Sequence, residues 1–145
     1  MKILFTYISH PVEPLGIMYL SSYIKQFGHE TKLVRIDQED VDDVVSNYKP
    51  DIIASQAMTG GHKEVIEFFK KLKAKFNFIS VMGGSHPTFY PKVIEEDGID
   101  ICVCGEAEDA LSDLMNALEK GEDYTKIPNL LVKKNGKIYH NEMRN

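Results

Sequence analysis

Short apolar segments that alternate with helical patterns constrain this chain more than any other feature. The segments are rich in β-branched residues, which is typical of strands buried on both faces. They lie at 2–7, 32–36, 51–55, 78–82 and 100–104. Helical patterns separate or follow them, at 15–27, 39–48, 62–76, near 91–96 and at 107–120. This alternation predicts a parallel sheet covered on both faces by helices in right-handed crossovers.

The predicted fold class is therefore a doubly wound α/β domain with a five-stranded parallel sheet. The strand order 2-1-3-4-5 fits this pattern, and periodicity alone leaves the Rossmann order open. After Pro128, the segments "NLLVKK" and "KIYHN" flank Asn135-Gly136, which predicts a hairpin with a type I′ turn. We expect this hairpin to be an appendage, so that the chain divides into an α/β domain, 1–126, and a C-terminal hairpin, 127–145.

Charge and hydropathy restrict the partners of the chain. The net charge is −5, and the 17 Lys and Arg residues are interspersed among 22 Asp and Glu residues. This distribution argues against a surface for nucleic acid. No segment approaches the ~18 apolar residues of a membrane span, and the first apolar run is too short for a signal peptide. We therefore expect a cytoplasmic protein with neither nucleic acid nor membrane as a partner.

Glycine recurs where the predicted strands end, at the edge where open α/β sheets bind ligands. The loops after the first, third, fourth and fifth strands contain Gly16, Gly60, Gly61, Gly83, Gly84 and Gly105. A residue without Cβ lets a bulky ligand approach the main chain, although tight turns also require glycine. The clustering of glycines at one edge favours a ligand site there.

Two common ligand classes lack their sequence signatures. The loop after the first strand, "ISHPVEPLG", has neither the glycine fingerprint of a dinucleotide site nor a Walker sequence. The strand ends also lack the acidic cluster of a receiver domain. A flavodoxin-like FMN protein or a receiver domain is therefore the less favoured class.

Four segments in order carry a family resemblance: "EPLGIMYLSSYIKQFGHET", "PDIIASQAMT", "VMGGSHPTFYP" and "DICVCGEAEDALSDLMNALEKGED". Together they resemble the N-terminal cobalamin-binding domain of the cobalamin-dependent radical SAM enzymes, over essentially residues 1–140. The resemblance implies a flavodoxin-like sheet with the corrin over the strand ends. It also implies that the dimethylbenzimidazole nucleotide tail enters a slot between the loops of the third and fourth strands.

The same resemblance implies which residues contact the cofactor. Gly83-Gly84 would form a bare wall of the slot, and the hydroxyls of Ser55 and Thr59 would face it, with capping and turn bonding as the alternative. Phe89 and Tyr90 would cover an apolar face of the cofactor or pack in the core. The expected cobalamin-binding residues are Leu15, Gly16, Ser55, Gln56, Thr59, Gly83, Gly84, Ser85, His86, Pro87, Gly105 and Glu106.

In related cobalamin domains, a histidine is the lower ligand of the cobalt. Related cobalamin domains carry D-x-H-x-x-G after the first strand, and here His10 stands in that loop without the Asp or the Gly. Because the carboxylate that orients a ligating histidine is missing, we expect no metal ligand in this chain. We expect His86 to bond the cofactor periphery or a neighbouring loop, and His29 and His62 to be solvated.

The two cysteines, Cys102 and Cys104, are expected to be buried core residues whose thiols diverge. A radical SAM 4Fe-4S cluster needs three converging cysteines, so this chain alone is expected not to cleave SAM and to hold no catalytic residue. The cluster and SAM would belong to a downstream radical SAM domain, most often of a methyltransferase. The alternative is a degenerate domain that no longer binds cobalamin and acts in docking or substrate recognition.

Overall fold

The computed structural model describes residues 1–7 and 14–145, which form one mixed sheet of seven strands. The strands are β1 (Lys2–Tyr7), β2 (Glu30–Arg35), β3 (Ile52–Gln56), β4 (Ile79–Gly83), β5 (Ile101–Val103), β6 (Leu130–Lys134) and β7 (Lys137–His140). The helices are α1 (Leu15–Lys25), α2 (Val41–Tyr48), α3 (His62–Lys73), α4 (Ser85–Phe89) and α5 (Glu108–Lys120), with a 3₁₀ turn at Pro91–Glu95. None of the helices in this part of the chain is both long and hydrophobic enough to span a bilayer.

The first five strands are parallel and follow the order 2-1-3-4-5, which confirms the predicted fold and excludes the Rossmann order. The predicted hairpin at Asn135-Gly136 is present, but the predicted count of five strands is wrong. Strand β6 pairs antiparallel with β5, and β7 pairs with β6, so the hairpin extends the same sheet. The physical reason is burial: Leu130, Leu131 and Val132 are at most 1% exposed and complete the cores on both faces.

The sheet separates two cores, as alternation along its strands requires. In β1, Leu4 packs on the face covered by α2 and α3, whereas Ile3 and Phe5 pack on the face covered by α1 and α5. The face covered by α1 and α5 also forms one wall of the candidate site.

Both cysteines are buried and free, which confirms the prediction that they are core residues. The expected divergence of their thiols is wrong, because residues two apart in an extended strand point to the same face. Cys102 and Cys104 accordingly lie in the same core cluster. Burial raises the pKa of Cys102 to about 12 and also raises that of Cys104, so both thiols stay protonated at neutral pH.

The segment predicted as a loop after the fourth strand contains a short helix, α4. The Thr88 hydroxyl donates to the carbonyl of Gly84 at 2.9 Å, and the Tyr90 N–H donates to the carbonyl of His86 at 2.8 Å. Pro87 is compatible with this helix because N–H groups in a first turn have no intrahelical partner. Helix α4 places His86 and Pro87, both expected to bind the cofactor, in buried positions.

Asn129 fastens the β6–β7 hairpin to the end of β5. Its side-chain amide donates to the Cys104 carbonyl at 2.8 Å, its Oδ1 accepts from the Arg144 N–H at 3.0 Å, and its backbone φ is +72°. We predict that Asn129→Ala lowers the free energy of unfolding by about 2–4 kcal/mol, because it removes two hydrogen bonds and strains the backbone. Urea denaturation measures this loss.

Glycine at the same position separates the two causes. Asn129→Gly removes the same hydrogen bonds without a left-handed Cβ, so we expect its loss to be smaller by about 1 kcal/mol. An Asn129→Ala protein as stable as the wild type would show that the hairpin does not depend on this side chain.

Candidate functional site

A cavity of about 210 Å³, called the slot below, opens at the carboxyl edge of the parallel strands. Its walls come from the ends of β1, β3, β4 and β5 and from the facing sides of α1 and α5. The volume lies below the roughly 300–1,000 Å³ of a typical ligand pocket, so it fits one arm of a larger ligand.

The slot gathers seven of the twelve residues predicted to bind a cofactor. They are Gly16, Ser55, Gln56, Gly83, Gly84, Gly105 and Glu106. Its interior is apolar and was not predicted as part of the site. The interior residues are Phe5, Ile17, Ala54, Val81, Val103 and Leu111, each at most 7% exposed. In the sequence they cannot be distinguished from ordinary core residues, since they lie on apolar strands and helix faces.

The two adjacent glycines have different roles. Among the described residues, apart from its two chain neighbours, no heavy atom lies within 4 Å of the position that a Cβ on Gly83 would take, so this residue leaves a bare ledge in the slot. Gly84 has φ +98° and ψ −169°, and a Cβ there would lie 2.8 Å from the Ala57 carbonyl oxygen. Gly83 therefore leaves space for a ligand, and Gly84 permits the tight turn that holds the ledge in place.

The structure brings one of the two predicted hydroxyls to the slot. Ser55 is 6% exposed and lines the slot, where its hydroxyl donates to the Thr6 carbonyl at 3.4 Å. Thr59 lies elsewhere, with its Oγ1 at 3.0 Å from Nδ1 of His86. Turn bonding, the alternative considered for these hydroxyls, therefore describes Thr59.

His86 of α4 contacts the loop after β3 and the start of α3, outside the slot. It is 4% exposed, bonds Thr59 of the loop after β3, and stacks on His62 with ring centroids 3.8 Å apart and 8° between the planes. The expected bond to a neighbouring loop is thus present, and His62, which was expected to be solvated, is partly exposed and stacked on this ring. Thr59 and His86 line a separate groove between α3 and the 3₁₀ turn.

The other histidines that the structure describes do not line the slot. His29 is 3% exposed, with Nε2 at 2.8 Å from Oδ1 of Asn116, so its expected solvation is also wrong. His10, considered as a lower ligand of cobalt, lies outside the described residues.

Three other predicted residues do not line the slot. Leu15 is 64% exposed at the start of α1, Ser85 is exposed at the start of α4, and Pro87 is buried within α4. Phe89 and Tyr90 are 82% and 62% exposed, so the core alternative for these aromatics is wrong.

The mouth of the slot is polar. Glu106, which is exposed, and Glu108, which is half-buried, both contribute to the lining. Gly105 has φ +78°, and its N–H donates to Thr88 Oγ1 at 3.0 Å. Carboxylates and bare main chain therefore surround the entrance to an apolar interior.

The buried position of His86 predicts a pH dependence of stability. Burial, and next the charge of His62, lower the pKa of His86 from its ordinary value of 6.5. The unfolded chain therefore binds more protons at this position than the folded protein. The contribution of His86 to the free energy of unfolding is expected to keep its whole value above pH 6.5, and to be lost as the pH falls through 6.5 toward the lower folded pKa. Urea denaturation between pH 5 and pH 8 measures this.

Two variants isolate the contribution of His86. His86→Gln keeps a partner for Thr59 and removes the titration, so we expect a flatter profile than that of the wild type. His140→Gln, at an exposed position of β7, is the matched control and should leave the profile unchanged. Identical profiles for the wild type and His86→Gln would contradict the assignment.

Two comparisons of the sequence identify similar proteins. A family model described as B12 binding domain matches residues 1–115. An uncharacterized methyltransferase of Pyrococcus horikoshii is 32% identical over 133 residues, which cover 86% of this chain and 29% of that protein.

Solved structures share the fold. The radical S-adenosylmethionine methyltransferase TsrM of Kitasatospora setae, with cobalamin and a [4Fe-4S] cluster bound, has 19% identity and a TM-score of 0.77 over 94% of this chain and 28% of its own. The cobalamin-dependent S-adenosylmethionine radical enzyme OxsB, with aqua-cobalamin bound, has 20% identity and a TM-score of 0.81 over 99% of this chain and 22% of its own. The chain thus spans less than a third of each of these relatives.

Proposed function

Because the chain belongs to the B12-binding domain family, we propose that it binds cobalamin at the carboxyl edge of its sheet, with the nucleotide tail in the slot. The observation that carries the proposal is the bare ledge at Gly83 beside the buried hydroxyl of Ser55. A side chain on the ledge would project into the space that the tail needs.

The residues of the slot fit this group. An aromatic base needs flat apolar walls, which Val81, Val103 and Leu111 supply, and a ring nitrogen needs a donor, which the Ser55 hydroxyl supplies. The long bond from Ser55 to the Thr6 carbonyl can be exchanged for one to the ligand. Apolar walls and one donor therefore match a substituted benzimidazole.

The remaining residues position the slot and its mouth. Glu106 and Glu108 can accept hydrogen bonds from the amide groups at the corrin periphery. His86 holds the loop after β3 against α4 and so keeps the Gly83 ledge in place. When bound, cobalamin supplies the cobalt chemistry of methyl transfer, and the chain supplies binding and orientation.

We further propose that the chain is the cofactor-binding module of a cobalamin-dependent radical SAM enzyme of the methyltransferase type. The names of its relatives and the small share of their length that it spans support this proposal. The 4Fe-4S cluster and SAM would be held by a radical SAM domain, and this chain would contribute no catalytic residue. Its protonated, free cysteines are compatible with a reducing compartment such as the cytoplasm.

Titration with hydroxocobalamin, followed by visible absorbance, tests the binding. Cobinamide, which has the corrin ring without the nucleotide tail, is the matched probe for the slot. We expect cobalamin to bind at least about tenfold more tightly than cobinamide. Equal affinities would exclude the slot as the tail site. A stably folded protein that takes up neither compound at high micromolar concentration would support the degenerate-domain alternative.

A further inference from the structure

The interior of the slot differs from its mouth in polarity, and this difference bears on which tail it accepts. We propose that the slot selects the base of the tail and prefers a benzimidazole-type base to a purine. This inference rests on the proposed function and adds the chemical class of the cofactor that the site takes. It follows from the few hydrogen-bonding groups that the described residues place in the interior.

The interior surface is almost entirely hydrocarbon. The strand residues Phe5, Val81 and Val103 are at most 3% exposed, and Leu111 of α5 is 1% exposed. Side chains of this kind pack against aromatic carbon and methyl groups. They cannot donate to or accept from a polar atom of a base.

The backbone carbonyls around the interior already have donors. The Ala54 carbonyl accepts from the Thr6 hydroxyl at 3.2 Å, and the Gly83 carbonyl accepts from the Ala57 N–H at 2.8 Å. The Ser55 hydroxyl is thus the one buried polar side chain among the described residues that line the slot. The interior therefore offers a hydrogen bond to one polar atom of a ligand.

The carboxylates of the slot cannot serve a base in the interior. Glu106 is exposed and Glu108 is half-buried, and both lie beyond the end of β5, at the mouth. The amide of Gln56, at the end of β3, is likewise exposed and lies at the edge of the slot. In the proposed complex, these two carboxylates contact the corrin ring and not the base.

The two classes of base make different demands on this interior. Dimethylbenzimidazole detached from cobalt has one ring nitrogen to satisfy, and its two methyl groups gain from apolar contact. Adenine carries an exocyclic amine and further ring nitrogens. Burying these polar atoms without partners opposes binding. Base-selective binding therefore follows from the lining, whatever reaction the complete enzyme performs.

The first test compares two complete cobamides on the wild-type chain by visible absorbance. One is hydroxocobalamin, and the other is the adeninyl cobamide with the same corrin and upper ligand. We expect the adeninyl compound to bind about tenfold or more weakly. Equal affinities would overturn the selectivity and leave the proposed function intact. Binding of neither compound would overturn both.

The second test alters the interior with little change in volume. Val81→Thr places a hydroxyl on the slot wall. We expect it to lower the ratio of the affinity for hydroxocobalamin to that for the adeninyl cobamide by about threefold or more. Val65→Thr makes the same change in the core on the other face of the sheet and should leave the ratio unchanged.

Both variants are first checked for cooperative thermal unfolding. Val103→Thr, which also faces the slot, replaces Val81→Thr if that protein does not fold. If both slot variants fold and neither changes the ratio of the two affinities, the interior wall does not determine the selectivity.

Discussion

Gly83→Leu is expected to weaken cobalamin binding by at least about 100-fold while leaving the fold intact. The new side chain would start from a position with no heavy atom of the other described residues within 4 Å, apart from its chain neighbours, and it would extend into the slot. The backbone of Gly83 lies outside the left-handed region, so a side chain causes no strain there. We expect the free energy of unfolding to change by less than about 1 kcal/mol. Absorbance titration and urea denaturation measure the two effects.

Ala74→Leu is the matched control for this experiment. Ala74 is exposed, follows the last residue of α3 with φ −66°, and does not line the slot. Its variant should bind cobalamin like the wild type. A folded Gly83→Leu protein with wild-type affinity would show that the tail does not occupy the slot.

Gly84→Ala is expected to have its largest effect on stability, with a loss of about 2–4 kcal/mol in the free energy of unfolding. The conformation with φ +98° and ψ −169° is nearly restricted to glycine, and the new Cβ would lie 2.8 Å from one backbone atom of Ala57 and 3.1 Å from another. Backbone atoms cannot move aside as the end of a flexible side chain can, so the turn itself must change. Urea denaturation measures the loss.

The neighbouring glycine supplies the control. Gly83→Ala adds the same methyl group one residue earlier, where it meets open space, and should cost less than about 1 kcal/mol. If Gly84→Ala were as stable as Gly83→Ala, the turn would not depend on its left-handed glycine. The contrast between the two variants separates a residue that shapes the chain from one that leaves room for a ligand.

The fold was predictable where local pattern determines it. Alternating apolar segments and helical faces predict the five parallel strands, because each crossover places consecutive strands in one sheet. The same reasoning could not place the hairpin, since a turn signal at Asn135-Gly136 shows that β6 and β7 pair with each other and nothing about a third strand. Pairing of β6 with β5 depends on the burial of Leu131 and its neighbours, which is a tertiary property.

The candidate site was predictable at its edge and not in its interior. Gly83 and Ser55 stood out because a glycine or a hydroxyl at a strand end is informative. Val81 and Leu111 read as core residues, and only the packing of α1 and α5 shows that they line a cavity. The sequence left two partners open for His86, the cofactor periphery and a neighbouring loop, and α4 turns this ring toward Thr59 of the loop after β3.

Chemical-shift mapping of the labelled chain with diamagnetic hydroxocobalamin tests the central claim most directly, since backbone amides report contact residue by residue. We predict that the largest shifts occur at Ala54, Gly83 and Val103, which surround the slot. Shifts confined to the groove beside His62 and Lys92, with the slot amides unmoved at saturation, would contradict the placement of the cofactor tail.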